Sequence, residues 1–226
     1  MPGAARQATA SNRAGESLNG YRGLLLDMHV PSWDPEFLAH LRPDDLIERL
    51  LAVDADEVTF YAQSHMGLCY WPSITGQTHP ALAGRDLVGD VVTAFQSAGR
   101  RIRLYYSTVL NNWAYEHHRA WRMEVRPRSD GGFPGPRYGL CCPNAPGYVA
   151  FCHAQVTELL SRYDVHAFFF DMSLFFPPCI CPNCRTRLAS EAGIALPETI
   201  DWSSDAWVSY QDSRERWAGG ESSLIS

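Results

Sequence analysis

Residues 177–188, PPCICPNCRTRL, place Cys179, Cys181 and Cys184 within six positions of a 226-residue chain that holds seven cysteines. Thiols spaced this closely serve as a redox pair, as part of a disulfide framework, or as ligands to a metal ion. A Cys-x-x-Cys turn aims two sulfurs at one tetrahedral centre. Cys181 and Cys184 form such a pair, with Cys179 two residues earlier. GLCCPN upstream offers a fourth ligand, Cys141 or Cys142. A thioredoxin-type pair opens a helix directly after its strand, whereas SLFFPPCI separates this one from the preceding apolar run. An odd cysteine count also disfavours a closed disulfide framework. A structural zinc site is therefore the expectation, and isolated Cys69 and Cys152 are expected in the core.

The carboxylates come next. Asp171 follows Phe168, Phe169 and Phe170 at the end of an apolar run. A charge placed there must face a polar site or be neutralised. Asp27 ends the run LLLDMHV in the same way. Each residue could instead be a helix N-cap or a loop anchor paired to an arginine. On neighbouring parallel strands, however, the two would project into one cleft. The segments 61–80 and 105–121 add His65, Tyr70, His79, Tyr106, Asn112 and Trp113, side chains that hold sugars by hydrogen bonds and ring stacking. His29 joins His65 as the histidines expected at strand ends, whereas His117, His118 and His153 read as structural.

The elements that must position these groups show as four apolar runs, 21–30, 55–63, 100–109 and 165–175. Each is short, β-branched or aromatic, and continuous rather than alternating, as in strands buried on both faces of a parallel sheet. Between them lie helical patterns at 43–55, 84–99 and 147–164. The first carries Asp44 and Asp45 in its opening turn and the second stops at Gly99. A further helix is expected from RTRLASEAG. The order is βαβ throughout, with a long excursion at 110–146 after the third strand, where α/β folds build their sites. Four such units are half of a (β/α)₈ barrel, whose full form takes about 250 residues. An open half-barrel leaves two unpaired sheet edges. The expectation is a TIM-barrel-type α/β fold with only the first four to five βα units present, in a chain that is a fragment.

Composition sets the remaining bounds. A net charge of −6 gives no electrostatic reason to expect nucleic acid or an anionic membrane as partner. Residues 1–19 are small and polar without an apolar core, so a disordered leader is expected rather than a secretory signal. No stretch is apolar for long enough to span a bilayer. A cytoplasmic location follows as an expectation, and there clustered thiols more often bind metal than pair. Residues 20–200 are read as the barrel part and 201–226 as a polar C-terminal tail.

Taken together, LLLDMHVPSW, VTFYAQSHMGLCYWPSITGQTHPAL, LYYSTVLNNWAYEHHRAW, YGLCCPNAPGY and VHAFFFDMSLFFPPCICPNC resemble, in this order, the hypothetical glycosyl hydrolase 6 family. Its members are often labelled alpha-amylase family or α-L-fucosidase-like proteins. The thiol pattern is also similar to that of glycoside hydrolase family 42 β-galactosidases, where a Cys-x-Cys-x-x-Cys after the fourth barrel strand joins an earlier cysteine around a structural zinc. That resemblance implies Cys142, Cys179, Cys181 and Cys184 as ligands, with Cys141 the other possibility for the first. In several retaining α-glycosidase families the carboxylate ending strand four is the nucleophile, a role the resemblance gives to Asp171; family 42 instead has an acid/base Glu there. Asp27, His29, His65, Tyr70, Tyr106, Asn112 and Trp113 would line the sugar subsite. The implied partner is a carbohydrate, with a homo-oligomer as a further expectation. The alternative function is a non-catalytic carbohydrate-binding or scaffold half-barrel.

Overall fold

A computed structural model describes residues 21–34, 36, 38–125, 137–173, 178–197, 201 and 203–218, with the side chains of 217 and 218 left aside. The expected leader at 1–19 lies outside the described residues. The strands are β1 (Gly23–Leu25), β2 (Glu57–Gln63), β3 (Leu68–Cys69), β4 (Gln77–Thr78), β5 (Arg101–Ser107) and β6 (Ala167–Asp171). The helices are α1 (Pro43–Ala52), α2 (Leu87–Ser97), α3 (Asn112–His117), α4 (Pro146–Arg162), α5 (Pro182–Ala192) and α6 (Asp205–Ala218).

Strands β1, β2, β5 and β6 are parallel and adjacent in chain order, joined by α1, α2 and α4. This is the successive βα winding of a barrel wall, left open among the described residues. The central strand β2 is buried along its whole length, because it has a neighbour on each side and helices over its outer face. β6, at the edge, is only half-buried and leaves Phe169 exposed. The continuous apolar pattern of the sequence thus corresponds to full burial only where both neighbours are present.

Local sequence explains where the connecting helices begin. Pro43 opens α1 at a position that needs no backbone donor, with Asp44 and Asp45 facing the positive end of the helix. Asp86 caps α2 by accepting from the Gly89 amide at 2.9 Å. Glu158 on α4 accepts from Trp71 Nε1, Ser73 Oγ and Thr75 Oγ1 and from the amides of Ile74 and Thr75, which locks the loop after β2 against the helix.

Two features differ from the sequence reading. The short strands β3 and β4 extend the sheet beside the end of β2, with β3 antiparallel to it. Residues 205–218, read as part of a polar tail, form α6. Trp207 and Tyr210, one turn apart, are buried against Leu188 and Leu196 in a second small core with α5. Two large aromatics at helical spacing outweigh the polar composition around them.

Candidate functional site

The strand ends bring together the carboxylates and histidines that the sequence singles out there. Register pairs Tyr61 with Tyr105 with Phe169, and Ser107 with Asp171, so these side chains share one face of the sheet. A bulge lies between Tyr61 and Gln63, near the ends of the strands, where such irregularities commonly re-aim side chains. Asp171 is the last residue of β6 and its side chain is 31% exposed. Its Oδ2 accepts from the Tyr105 hydroxyl at 2.6 Å and its Oδ1 from the Met172 amide at 2.7 Å. Met172 holds a left-handed φ of 62°, a conformation that non-glycine residues rarely adopt. Thr108 clamps the same turn by donating its amide and its hydroxyl to the Asp171 carbonyl.

His65 sits beside this carboxylate, with Nε2 3.9 Å from Asp171 Oδ2. Its Nδ1 lies 2.7 Å from Ser107 Oγ, whose own proton goes to the Leu110 carbonyl at 2.7 Å. Ser107 must therefore accept, and His65 must carry its proton on Nδ1. Burial, helped by neighbouring His29, pushes the His65 pKa down to about 4. The ring is neutral near pH 7 and its Nε2 lone pair is free to accept from a ligand hydroxyl.

Across from it, His29 Nδ1 meets Asp27 Oδ1 at 2.5 Å, and the His29 amide donates to the same oxygen at 3.0 Å. Burial raises the Asp27 pKa, but the two His29 hydrogen bonds and the imidazole charge outweigh it, leaving the carboxyl below its usual range. The rings of His29 and His65 lie 4.3 Å apart. Tyr138, from the long excursion, packs 5.0 Å from His65 and 5.9 Å from His29. Tyr105 stacks on Tyr61 at 3.7 Å. Burial, then the hydrogen bond to Asp171, raises the Tyr105 pKa well above the ordinary phenol value and keeps it a donor.

Five of the expected sugar contacts stand elsewhere. Tyr106 is 1% exposed and faces the opposite side of β5, where its hydroxyl donates to Gln155 Oε1 on α4. Tyr70 is fully buried and donates to the Met28 carbonyl at 2.5 Å, so it braces the Asp27–His29 turn from behind. Asn112 Oδ1 accepts from the Gly139 amide at 2.6 Å and Trp113 stacks on His117 and Phe151. Both hold the excursion rather than face Asp171. His79 is buried between the Ala81 amide and the Pro31 carbonyl. Tyr105, Ser107 and Tyr138 are the residues that sequence reasoning missed. Strand alternation puts Tyr105 and Ser107 on one face and Tyr106 on the other, but choosing the face needs the register.

The second cluster lies beyond the strand ends. Cys142, Cys179, Cys181 and Cys184 are all buried, with their sulfurs within 4.8 Å of one another. Cys142 Sγ is 3.5 Å from Cys181 and from Cys184, and 3.9 Å from Cys179. A disulfide would bring two sulfurs to about 2.05 Å. Four thiolates around one ion at about 2.3 Å stand about 3.8 Å apart, so these residues fit a tetrahedral metal centre. Cys141 is turned away, with its thiol toward the Asn111 carbonyl at 3.7 Å. Cys69 and Cys152 are buried in the core. Among the described residues, this is the group with metal-ligand spacing.

An open wall of parallel βα units with its polar groups gathered past the strand C-termini is the arrangement of (β/α)₈-barrel enzymes. The match to the family described as hypothetical glycosyl hydrolase 6 covers residues 43–172, more than half of the chain, and the chain belongs to that family. Among solved structures, α-L-fucosidase isoenzyme 2 from Paenibacillus thiaminolyticus superposes with a TM-score of 0.69 at 24% identity, covering 86% of this chain and 28% of that one. The Thermotoga maritima α-fucosidase gives 0.43 at 26% identity, covering 59% of this chain and 29% of that one. An α-L-fucosidase from Bacteroides thetaiotaomicron gives 0.43 at 20% identity, covering 62% and 28%. The chain thus spans less than a third of the length of these structures. No curated protein matches it. No helix among the described residues is long and apolar enough to cross a membrane.

Proposed function

We propose that this chain forms the sugar-binding and nucleophile-bearing part of a glycoside hydrolase that cleaves O-glycosidic bonds, with Asp171 as a catalytic carboxylate. The observation that carries this reading is the placement of Asp171. It is a half-buried carboxylate at a strand end, fixed by Tyr105 and Met172 and flanked by a neutral imidazole. Two donors orient the carboxylate and leave further lone pairs for attack on an anomeric carbon. His65, His29, Asp27 and Tyr138 present acceptors and ring faces to a sugar. Tyr70, Asn112 and Trp113 support the loops that carry them.

Glycoside hydrolysis needs a second carboxyl group, about 5–5.5 Å away for retention or about 6.5–9.5 Å for inversion. We expect it from a strand beyond β6. The four cysteines would hold zinc, the ion best suited to four buried thiolates. With every position filled by sulfur, such an ion ties the loops after β5 and β6 together and takes no part in the chemistry.

The test is Asp171→Asn in a form of the protein with a complete barrel, assayed on nitrophenyl glycosides that include the α-L-fucoside. Turnover should fall to background while the melting temperature stays within a few degrees. Unfolding of the variant would make Asp171 a structural residue. Saturable sugar binding without turnover in the unmodified protein would favour the non-catalytic binding half-barrel.

A further inference from the structure

Four thiolates around a divalent ion carry a net charge of −2 into a site where no sulfur-bearing residue is more than 4% exposed. Such charge needs donors in the surrounding protein. Asn144 supplies one: its Nδ2 lies 3.3 Å from Cys184 Sγ. The orientation of this amide is fixed by chemistry. Arg187 Nη1 reaches Asn144 Oδ1 at 2.8 Å, and a guanidinium can only donate, so the carboxamide oxygen must face Arg187 and the NH₂ group must face the sulfur. Arg187 is held in turn by its Nε bond to Glu191 Oε1 at 2.5 Å. The other oxygen of Glu191 accepts from Ser213 Oγ at 2.7 Å and from Arg216 Nη2 at 3.0 Å, both on α6. A second path joins the same helix to the site, where the Tyr210 hydroxyl donates to the Cys179 carbonyl at 2.8 Å.

We propose that Asn144, oriented by Arg187, is a positioning residue for the four-thiolate metal site, and that Glu191 and Tyr210 make metal affinity depend on the docking of α6. The proposal rests on the metal reading of the cysteine cluster. The chain of donors runs toward the sulfur, from Arg187 through Asn144 to Cys184, and the Glu191 carboxylate keeps the guanidinium in place. Coupling of this kind is reciprocal: if docked α6 tightens the site, a bound ion must tighten the docking of α6. The hydrophobic contact of Trp207 and Tyr210 with Leu188 holds α6 on α5, and the polar paths carry that packing to the metal.

Cobalt titration of the full 226-residue chain tests this, because tetrahedral cobalt thiolate has strong charge-transfer absorption. A wild-type chain without a four-thiolate cobalt spectrum would overturn the metal reading itself, before any variant is compared. Given that spectrum, Asn144→Ala and Arg187→Met should each weaken cobalt binding ten- to a hundred-fold, the usual cost of removing a group that supports a metal ligand, with the spectrum preserved. Tyr210→Phe, which leaves the thiols untouched, should weaken binding a few-fold. Hydrogen exchange of the 205–216 amides should speed up when cobalt is chelated and in Arg187→Met. Wild-type affinity in both Asn144→Ala and Arg187→Met would overturn the positioning role. Exchange in α6 that ignores the metal would overturn the coupling.

Discussion

The two clusters at the strand C-termini are built on opposite principles. The Asp171 group mixes carboxylates, imidazoles and phenols, and its acids are partly open, with the Asp27 side chain 68% and the Asp171 side chain 31% exposed. The cysteine group is uniform and sealed from solvent. In the first, hydrogen bonds fix orientation and leave acceptor positions free, as at His65 Nε2. In the second, every sulfur points inward at one centre. Openness and mixed chemistry suit a group that handles a substrate, whereas closure and a single ligand type suit one that holds loops together. Under the proposed reading the second would serve the first, since Cys142 follows Tyr138 in the excursion and Cys179 follows Asp171 by eight residues in the sequence.

The contrast breaks most directly at the cysteines. Cys142→Ser should abolish metal binding and cost on the order of 5 kcal/mol of stability, a fraction of the value of a whole zinc-finger site because the sheet keeps its own core. A chelator should lower the melting temperature of the wild-type chain and leave that of Cys142→Ser unchanged. Equal melting with and without chelator in the wild type would remove the structural role. By comparison Asp171→Asn should move the melting temperature by no more than a few degrees: the amide oxygen can still accept from Met172, and the new NH₂ group faces the Tyr105 hydroxyl, which can turn to accept, at a site that water reaches.

How far the sequence disclosed these two regions follows from how local their signals are. Three of the clustered cysteines were legible because they sit within six residues; spacing left the fourth open between Cys141 and Cys142, and the family resemblance pointed to Cys142, which the structure places with the other three. The four parallel strands were legible because burial on both faces writes continuous apolar runs. The face of each strand was not, since "LYYST" offers Tyr105 and Tyr106 equally and only pairing with β6 decides between them. Tyr138 was invisible for a related reason: it reaches the histidines through a loop path that no periodicity encodes. Helix α6 was hidden by polar composition, its two anchoring aromatics carrying too little pattern on their own.

His65 sharpens the comparison through pH. Its unfolded imidazole takes a proton below about 6.5, whereas the folded one resists until about 4. Between those values the unfolded state binds more protons, so stability falls as pH falls through that window and is full above it. The loss should reach on the order of 3 kcal/mol by pH 4. His65→Gln should flatten this slope, measured as melting temperature against pH from 7 to 4.5. An unchanged slope would show that His65 is not held neutral by its surroundings. The cysteine cluster offers a control, because chelation should lower the whole curve while leaving the contribution of His65 to its shape.

The smallest effect separates the two faces of β5. Tyr106→Phe removes a hydroxyl that donates to Gln155 Oε1 in a fully buried setting, so the acceptor is left without its partner. The cost should be about 1–2 kcal/mol of stability, with sugar binding at the strand ends unchanged. Tyr105→Phe deletes a hydroxyl one residue away, but there the orphaned acceptor is Asp171, which water can reach. Its stability cost should be under about 1 kcal/mol, while the carboxylate loses the bond that aims it and sugar binding or turnover drops. Calorimetric melting and sugar titration of the two variants side by side read both quantities. If Tyr106→Phe weakened sugar binding and Tyr105→Phe did not, the sugar-facing side of the sheet would be the one under α4, and the assignment of Asp171 would fall with it.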